Sequence, residues 1–402
     1  MQPGEPTRPV PASDSTHARG PLPAWLSPLG VVLEPVYRWG IARRNRAFDG
    51  GRGVVALDRP VISVGNLSVG GTGKSPMVAR VVRMLIAMGH SPCIAMRGYG
   101  AKRGGRSDEE DAYLRQFPSV PVVARPDRVE GLLDLFAEEA KQDVASSGQD
   151  SLNSPRQSEL GEPDGDARED ASNGPAMRSD VVVLDDGFQH RRLARDLDIV
   201  MIDATRSPFE DRLLPRGWLR EPVESIVRAG LVVLTHADGA ATSTIEKQLR
   251  SINASLPILR GEHAWAGLLW RDAGAVDDSE VAASSLSGRR VMVCCAIGNP
   301  QRFVAMVQRA AGVPPCDVLT LRDHDAYEPA TIAMLLDRAR AAHADVIMVT
   351  DKDWSKLRRV RPEAWPCAVA RPRLELNLSD DAAFDRALRE SIERHRESMR
   401  SE

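Results

Sequence analysis

Gly70, Gly71, Thr72, Gly73, Lys74 and Ser75 follow the apolar run Val61–Val64 and precede a helix-patterned stretch from about Pro76 to Met88. A strand running into a glycine-rich turn and then a helix is the setting of a phosphate-binding loop, because glycines let several backbone N–H groups and the helix N-terminus face one anion. Lys74 would reach the β and γ phosphates of ATP and the Ser75 hydroxyl would ligate Mg²⁺, with Ser68 and Val69 opening the loop. The full G-x-x-x-x-G-K-[ST] spacing asks for glycine at 68, where this chain has Ser68, so the assignment leans on the strand before and the helix after. A glycine-rich connector without a ligand is the plain alternative. A carboxylate ending a neighbouring strand should complete such a site, and Asp185 and Asp186 directly follow the apolar run Val181–Leu184. Alone, two adjacent aspartates are more often a solvated turn; beside the loop they suit a metal and a γ-phosphate. His190, Arg191 and Arg192 come next and fit a phosphate contact and a helix surface equally well.

These side chains need a scaffold, and the chain around them alternates short β-branched runs with helical stretches. Val61–Val64, Cys93–Met96 and Val120–Ala124 read as strands, with helices over about 76–88 and 127–140. That rhythm predicts a parallel α/β sheet. Residues 141–178 hold few large apolar side chains and many Ser, Asp, Glu, Gly and Pro, so they are expected to be a disordered insertion. Strands resume at Val181–Leu184, Ile199–Ile202 and Leu231–Leu234, so the insertion interrupts one domain. After a less regular stretch near 262–288, a second strand and helix series covers Val291–Ile297, Val318–Leu321, about 329–343, Val346–Thr350 and Ala368–Leu376. A charged helix is expected over 380–402. The fold class is therefore α/β: a P-loop NTPase-like parallel sheet domain plus a smaller second α/β domain, with an N-terminal amphipathic helix. The expected boundaries are a disordered tail over 1–24, the amphipathic helix over 25–50, the P-loop domain over 51–257 and the second domain over 258–402.

The bulk composition narrows the partners. A chain of 402 residues exceeds one ordinary domain, and 42% hydrophobic with 27% charged residues is a globular composition. A formal net charge of -3 gives no global attraction to nucleic acid. The five cysteines (Cys93, Cys294, Cys295, Cys316, Cys367) show no C-x-x-C spacing, which supports neither a zinc site nor a disulfide framework and suits a reducing cytosol. No run reaches the roughly 18 consecutive apolar residues of a spanning helix. Val32, Leu33, Val36, Tyr37, Gly40 and Ile41 do recur at helical spacing, with Trp39 and Phe48 nearby and Arg38, Arg43, Arg44 and Arg46 interleaved. That pattern suits a helix lying on a bilayer surface and equally a helix packing its apolar face on its own domain, with Pro35 a possible kink.

Taken together, VGNLSVGGTGKSP, RGYG at 97–100, DDGFQHRRLARDLDI at 185–199, LLPRGWLREP at 213–222, AIGNPQRF at 296–303 and DHDAY at 323–327 resemble the tetraacyldisaccharide 4'-kinase family, over roughly residues 25–375 and in the family's order. The resemblance implies ATP-dependent phosphorylation of the 4'-hydroxyl of a tetraacylated glucosamine disaccharide 1-phosphate, an acylated lipid, at the cytoplasmic face of the inner membrane. It implies peripheral or monotopic attachment there; no nucleic acid partner is expected, and no obligate protein partner is inferred. The family carries Ser or Thr at the position of Ser68. By the same resemblance Lys74 and Ser75 bind phosphates and Mg²⁺, Asp185 and Asp186 serve the metal and γ-phosphate, and Arg97 and Arg220 line the site. The family's catalytic aspartate in G-D-E-P corresponds to Asp108, with Glu109 beside it on the metal side, and its partner in D-H-x-x-Y corresponds to His324. Here Ser107 and Glu110 replace the flanking Gly and Pro, and the segment from Gly100 to Asp108 is shorter than in the family. Chemistry supports the pairing independently, since a sugar hydroxyl needs a proton acceptor as its O–P bond forms and a carboxylate oriented by histidine suits that task.

Two other classes fit the sequence less well. A regulatory P-loop GTPase or partner-switching ATPase would share GGTGKS, but a deviant loop needs lysine at 69 where Val69 stands. A guanine-reading T-K-x-D is interrupted by His236, and D-x-x-G from Asp185 meets Phe188. A non-catalytic membrane adaptor leaves the loop and the paired aspartates unexplained.

Overall fold

A computed structural model describes residues 20–69, 73–98, 106–150, 178–237, 240–322 and 325–401. In chain order they form α1 (Ser27–Asp49), β1 (Val61–Asn66), α2 (Lys74–Ala87), β2 (Pro92–Met96), α3 (Asp108–Gln116), β3 (Val122–Ala124), α4 (Arg128–Asp150), β4 (Val181–Asp185), β5 (Leu197–Asp203), β6 (Leu231–Thr235), α5 (Ala240–Ile252) and β7 (Ile258–Arg271). There follow β8 (Ser279–Val281), β9 (Val291–Cys295), α6 (Pro300–Ala311), β10 (Asp317–Thr320), α7 (Pro329–Ala341), β11 (Val346–Met348), α8 (Asp351–Leu357), β12 (Ala368–Leu378) and α9 (Asp381–Ser401). The chain divides into two compact units, one of Met1–Tyr99, Ala112–Glu262 and Leu378–Glu402, the other of Gly100–Asp111 and His263–Asn377.

In the first unit the strands lie in the order β7-β6-β5-β1-β4-β2-β3, every neighbouring pair parallel. Helices flank such a sheet, so its central strands must be apolar on both faces. Accordingly β1 and β4 are buried at every residue. From α2, Met77, Val78, Val81, Val82 and Leu85 are buried, the i, i+4 rows expected of a helix laid on a sheet. Two glycines set the distance between β1 and the turn after β4. A Cβ on Gly65 would come within 2.5 Å of the Phe188 Cβ, and one on Gly187 within 2.5 Å of the Ser63 hydroxyl, so only hydrogen fits at either place. This close approach brings Asp186 beside the loop that follows β1.

In the second unit β10-β9-β11-β12 are parallel, and β8 pairs antiparallel with β7 at the sheet's other end. Thr350 and Asp353 form a reciprocal capping box at the start of α8, and the same Asp353 carboxylate accepts from the Ala296 N–H at 3.1 Å after β9. One buried acid thus fastens a helix start to a strand end.

Several expectations need correcting. The helix expected over 127–140 runs on to Asp150, so 141–150 is not disordered insertion. Few apolar residues remove the means of burial but not the capacity for helix, and Lys141, Gln142 and Ala145 are good helix formers. Residues 151–177 of that insertion, and 1–19 of the expected tail, lie outside the described residues. The stretch read as irregular near 262–288 instead holds most of the 14-residue β7 and the short β8. Buried Leu259 and Gly261 alternate with exposed Arg260 and Glu262, and His263, Ala264 and Trp265 are half-buried, so no continuous apolar run marks the strand before Leu268. Near the boundary expected at 258 the first unit runs on to Glu262; beyond that expectation, Leu378–Glu402 with α9 return to the first unit, and Asp108 belongs to the second. Phe384, Leu388 and Ile392 of α9 are buried although its sequence looks charged.

Candidate active site

β1 ends at Asn66, and the chain enters the glycine loop through Leu67, Ser68 and Val69. These three residues pair with Trp218–Arg220: Ser68 bridges Leu219, Val69 N–H donates to the Trp218 carbonyl at 2.8 Å, and Arg220 N–H donates to the Leu67 carbonyl at 2.7 Å. The pairing fixes Arg220 to the loop entrance through the backbone. Gly70, Gly71 and Thr72 lie outside the described residues; Gly73 follows with φ 79°, a left-handed conformation that glycine adopts freely, and α2 starts at Lys74. Ser75, in the first turn of α2, is exposed.

Asp186 is the centre of the charged cluster. It stands one residue past β4 with φ 51°, a left-handed conformation that Asp tolerates better than most residues. Its carboxylate takes Lys74 Nζ at 3.3 Å and is held by both oxygens on Arg220, at 2.9 and 2.8 Å. Arg220 also reaches Gln189 Oε1 at 3.3 Å, Gln189 donates to the Asn66 carbonyl at 2.8 Å, and Lys74 donates to Asn66 Oδ1 at 3.2 Å. Arg128, at the start of α4, donates to the Asp186 carbonyl at 3.4 Å. Asp185 is buried and accepts from Tyr113 Oη at 2.9 Å.

Burial alone would raise the Asp186 pKa, but the charges of Lys74 and Arg220 and their hydrogen bonds outweigh it and hold the carboxyl below its ordinary value. Asp186 is therefore ionised throughout the neutral range. Burial lowers the Arg128 pKa, the nearby Asp186 and Asp185 raise it in part, and the charge of Arg97 just after β2 lowers it further. Arg97 thus acts on the same cluster. His190 is pushed down to about 4, first by burial and then by Arg128, Arg195 and Arg192, and its Nε2 is buried without a hydrogen-bond partner among the described residues. A proton there would find no acceptor, so His190 is neutral at pH 7.

Of the residues singled out from the sequence, Lys74 therefore meets Asp186, and Arg97 and Arg220 stand in the same charged neighbourhood. Asp108 opens α3 and Glu109 is exposed on it, both in the second unit. The departure from G-D-E-P has a local reason. Ser107 Oγ accepts from the Glu110 N–H at 3.1 Å while Glu110 Oε2 accepts from the Ser107 N–H at 3.4 Å, a reciprocal cap that places Asp108 in the first helical position. His324 lies outside the described residues. Beyond it, Tyr327 is fully buried, Lys356 Nζ donates to the Asp325 carbonyl at 2.6 Å, and Arg359 donates to the Ala326 carbonyl at 3.1 Å. Tyr113, Arg128, Asn66 and Gln189 were not singled out. Asn66 and Gln189 stood inside quoted motifs, whereas nothing in the sequence marks Tyr113 or Arg128.

Cations gathered at the carboxyl ends of parallel strands, beside a glycine loop and paired aspartates, form an anion site where a phosphoryl group can be held and neutralised. The comparisons with known proteins agree. The profile of the family described as Tetraacyldisaccharide-1-P 4'-kinase matches residues 24–393. A tetraacyldisaccharide 4'-kinase of Syntrophus aciditrophicus (strain SB) is 30% identical over 401 residues, covering 91% of this chain and 94% of its own. The enzyme of that name from Geobacter sulfurreducens is 33% identical over 383 residues, covering 90% and 93%. Among solved structures, LpxK from Aquifex aeolicus in complex with ATP superposes with a TM-score of 0.62 at 26% identity, covering 91% of this chain and 99% of that one. With its glycine loop, its Lys74–Asp186–Arg220 cluster and a match along nearly its whole length, the chain belongs to the tetraacyldisaccharide 4'-kinase family, the ATP-dependent kinases of lipid A biosynthesis.

Proposed function

We propose that this kinase works on a membrane surface with Mg²⁺, and that Asp108 accepts the proton of the 4'-hydroxyl with His324 orienting it. The observation that carries the phosphoryl-transfer part is the Lys74–Asp186–Arg220 cluster at the ends of β1 and β4. A triphosphate arriving at the loop meets Lys74 and Arg220 already oriented, so little reorganisation accompanies the transfer. The donor chemistry fits Mg²⁺, a hard cation that takes one or two carboxylates plus phosphate oxygens. Asp185, Asp186 and the Ser75 hydroxyl would hold it, and when bound it neutralises charge on the transferring phosphoryl oxygens. Glu109 is a further carboxylate for that role.

One feature supports attachment to a membrane surface. Among the described residues no helix is long and apolar enough to cross a bilayer. Yet Trp25, Val32, Val36 and Trp39 are 62–77% exposed, and Leu29 lies between the first two in sequence. At about 100° per residue these positions fall on one stripe of α1 and of the turn before it. An exposed apolar stripe of this length suits a bilayer headgroup boundary, here the inner membrane's cytoplasmic face where the lipid is presented.

The test is phosphorylation of a tetraacyldisaccharide 1-phosphate by the full chain with ATP and Mg²⁺, scored as 4'-phosphorylated product. Asp108→Asn keeps the size of the side chain and removes its basicity, so kcat should fall by roughly 10² to 10⁴ with ATP affinity nearly intact. Full kcat in that variant would move the proton to another carboxylate, with Glu109 and Glu110 the nearest in sequence.

A further inference from the structure

Helix α1 is amphipathic in the reverse sense, its apolar side outward and its polar side inward. Glu34 is buried and takes Arg216 at 3.2 Å. Tyr37 Oη donates to the carbonyl of Arg220 at 3.0 Å, Arg44 and Asn45 donate to the two oxygens of Glu221 at 3.1 and 3.2 Å, and Asn45 O and Asp49 receive Arg191 at 3.1 and 2.6 Å. Every one of these partners belongs to two short segments, 216–221 and 191, and those segments flank the cluster around Asp186.

Glu221 is the hub. Its side chain is wholly buried and also takes Arg228 at 2.8 Å, while Arg228 lies over the Phe188 ring at 4.4 Å, two residues beyond Asp186. A buried carboxylate with two guanidinium partners and an amide is costly to leave half-satisfied, so its geometry is tightly held. The residue before it is Arg220, whose backbone is fixed on one side by Leu67 and on the other by Tyr37, and whose guanidinium chelates Asp186. An arginine clamped at its own carbonyl and at the next side chain has few ways to swing away from the carboxylate.

We propose that Tyr37, Arg44, Asn45 and Glu221 are positioning residues that hold Arg220 on the phosphoryl-transfer site, so that the helix carrying the exposed apolar stripe also sets the catalytic cluster. The inference rests on the reading of Asp186 and Arg220 as site residues. A contact that served only to attach α1 would affect stability when broken; a latch on Arg220 affects turnover in the folded enzyme.

The variants Tyr37→Phe, Arg44→Gln and Glu221→Gln are assayed on the full chain with tetraacyldisaccharide 1-phosphate in detergent micelles, saturating ATP and Mg²⁺. Loss of one hydrogen bond in Tyr37→Phe should lower kcat about 3- to 10-fold. Displacing Arg220 by an ångström in Glu221→Gln should lower it by up to about 10². KM for ATP should stay within about twofold, cosedimentation with lipid vesicles should match wild type, and Glu221→Asp should recover part of the loss. Because Glu221 acts through Arg220, Glu221→Gln placed on Arg220→Ala should cost no further kcat. Unchanged kcat in the soluble, folded variants would overturn the latch, as would losses that multiply independently in the double variant. Should Glu221→Gln fail to fold, Tyr37→Phe decides, and its cycle with Arg220→Ala replaces the first. Asp186→Asn separates the two readings. Full kcat there removes Asp186 from the site, and the latch then stands or falls on the Arg220→Ala cycle alone.

Discussion

Asp186 illustrates how one residue is legible in sequence while its environment is not. Residue type and spacing named Lys74, Ser75, Asp185 and Asp186, because a phosphate loop demands a lysine and a hydroxyl directly after its glycines and an acid at a strand end. Arg128 and Tyr113 come to the aspartates only through the register of β4 against β1 and β2, over separations of 58 and 72 residues. No local pattern encodes that. The same cluster predicts a pH response through His190. Its folded pKa is depressed to about 4 from an ordinary value near 6.5, so between those limits the unfolded chain binds a proton that the folded chain refuses. Stability should therefore rise with pH across that window and level off above it. Denaturant unfolding at pH 4.5, 5.5 and 6.5 checks this, and His190→Asn should flatten the slope; an equal slope in the variant would assign it to other groups.

At the scale of the element, α1 was recognised from its spacing, but which side faced the body was read only in part. Tyr37 packs inward against the core cluster that contains Leu67 and Phe188, whereas Val32 and Val36, which shared its apolar pattern, are exposed. Arg44, one of the interleaved arginines, is committed to Glu221, while Arg43 lies 5.9 Å over Trp39 and Arg46 is exposed. Periodicity reports that a helix has two faces and does not say which one meets protein. Pro35 sits inside α1 without ending it. If the outer stripe meets a bilayer, replacing Val32 and Val36 by Ser should weaken vesicle cosedimentation by about an order of magnitude or more, each buried valine contributing on the order of 1.5 kcal/mol. Arg43→Ser with Arg46→Ser should weaken it less, and only at low salt, because exposed charges are screened within about 10 Å at 0.1 M. Sedimentation indifferent to all four changes would leave the stripe without a bilayer role.

For the whole molecule, the alternation of strands and helices gave the α/β class and the parallel strands of each unit, since buried parallel strands write themselves as apolar runs. The division of the chain was harder, because two strands carry it between the units in place of linkers. β7 pairs with β6 in the first unit and with β8 in the second, and β12 runs from the second unit to α9 of the first. Nothing in composition marks a boundary that falls inside a strand. The thermal behaviour should reflect this construction. Melting of the first unit frees Ile258–Gly261 from β6 and so loosens the strand on which β8 depends. A single cooperative transition is expected by scanning calorimetry, in place of the two that linker-joined domains give. ATP with Mg²⁺ at a hundredfold excess over its dissociation constant should stabilise the folded state by ~2.7 kcal/mol and raise that one transition by several degrees. Lys74→Ala should lose the shift. Two resolved transitions, of which ATP raises only one, would show that the shared strands do not couple the units.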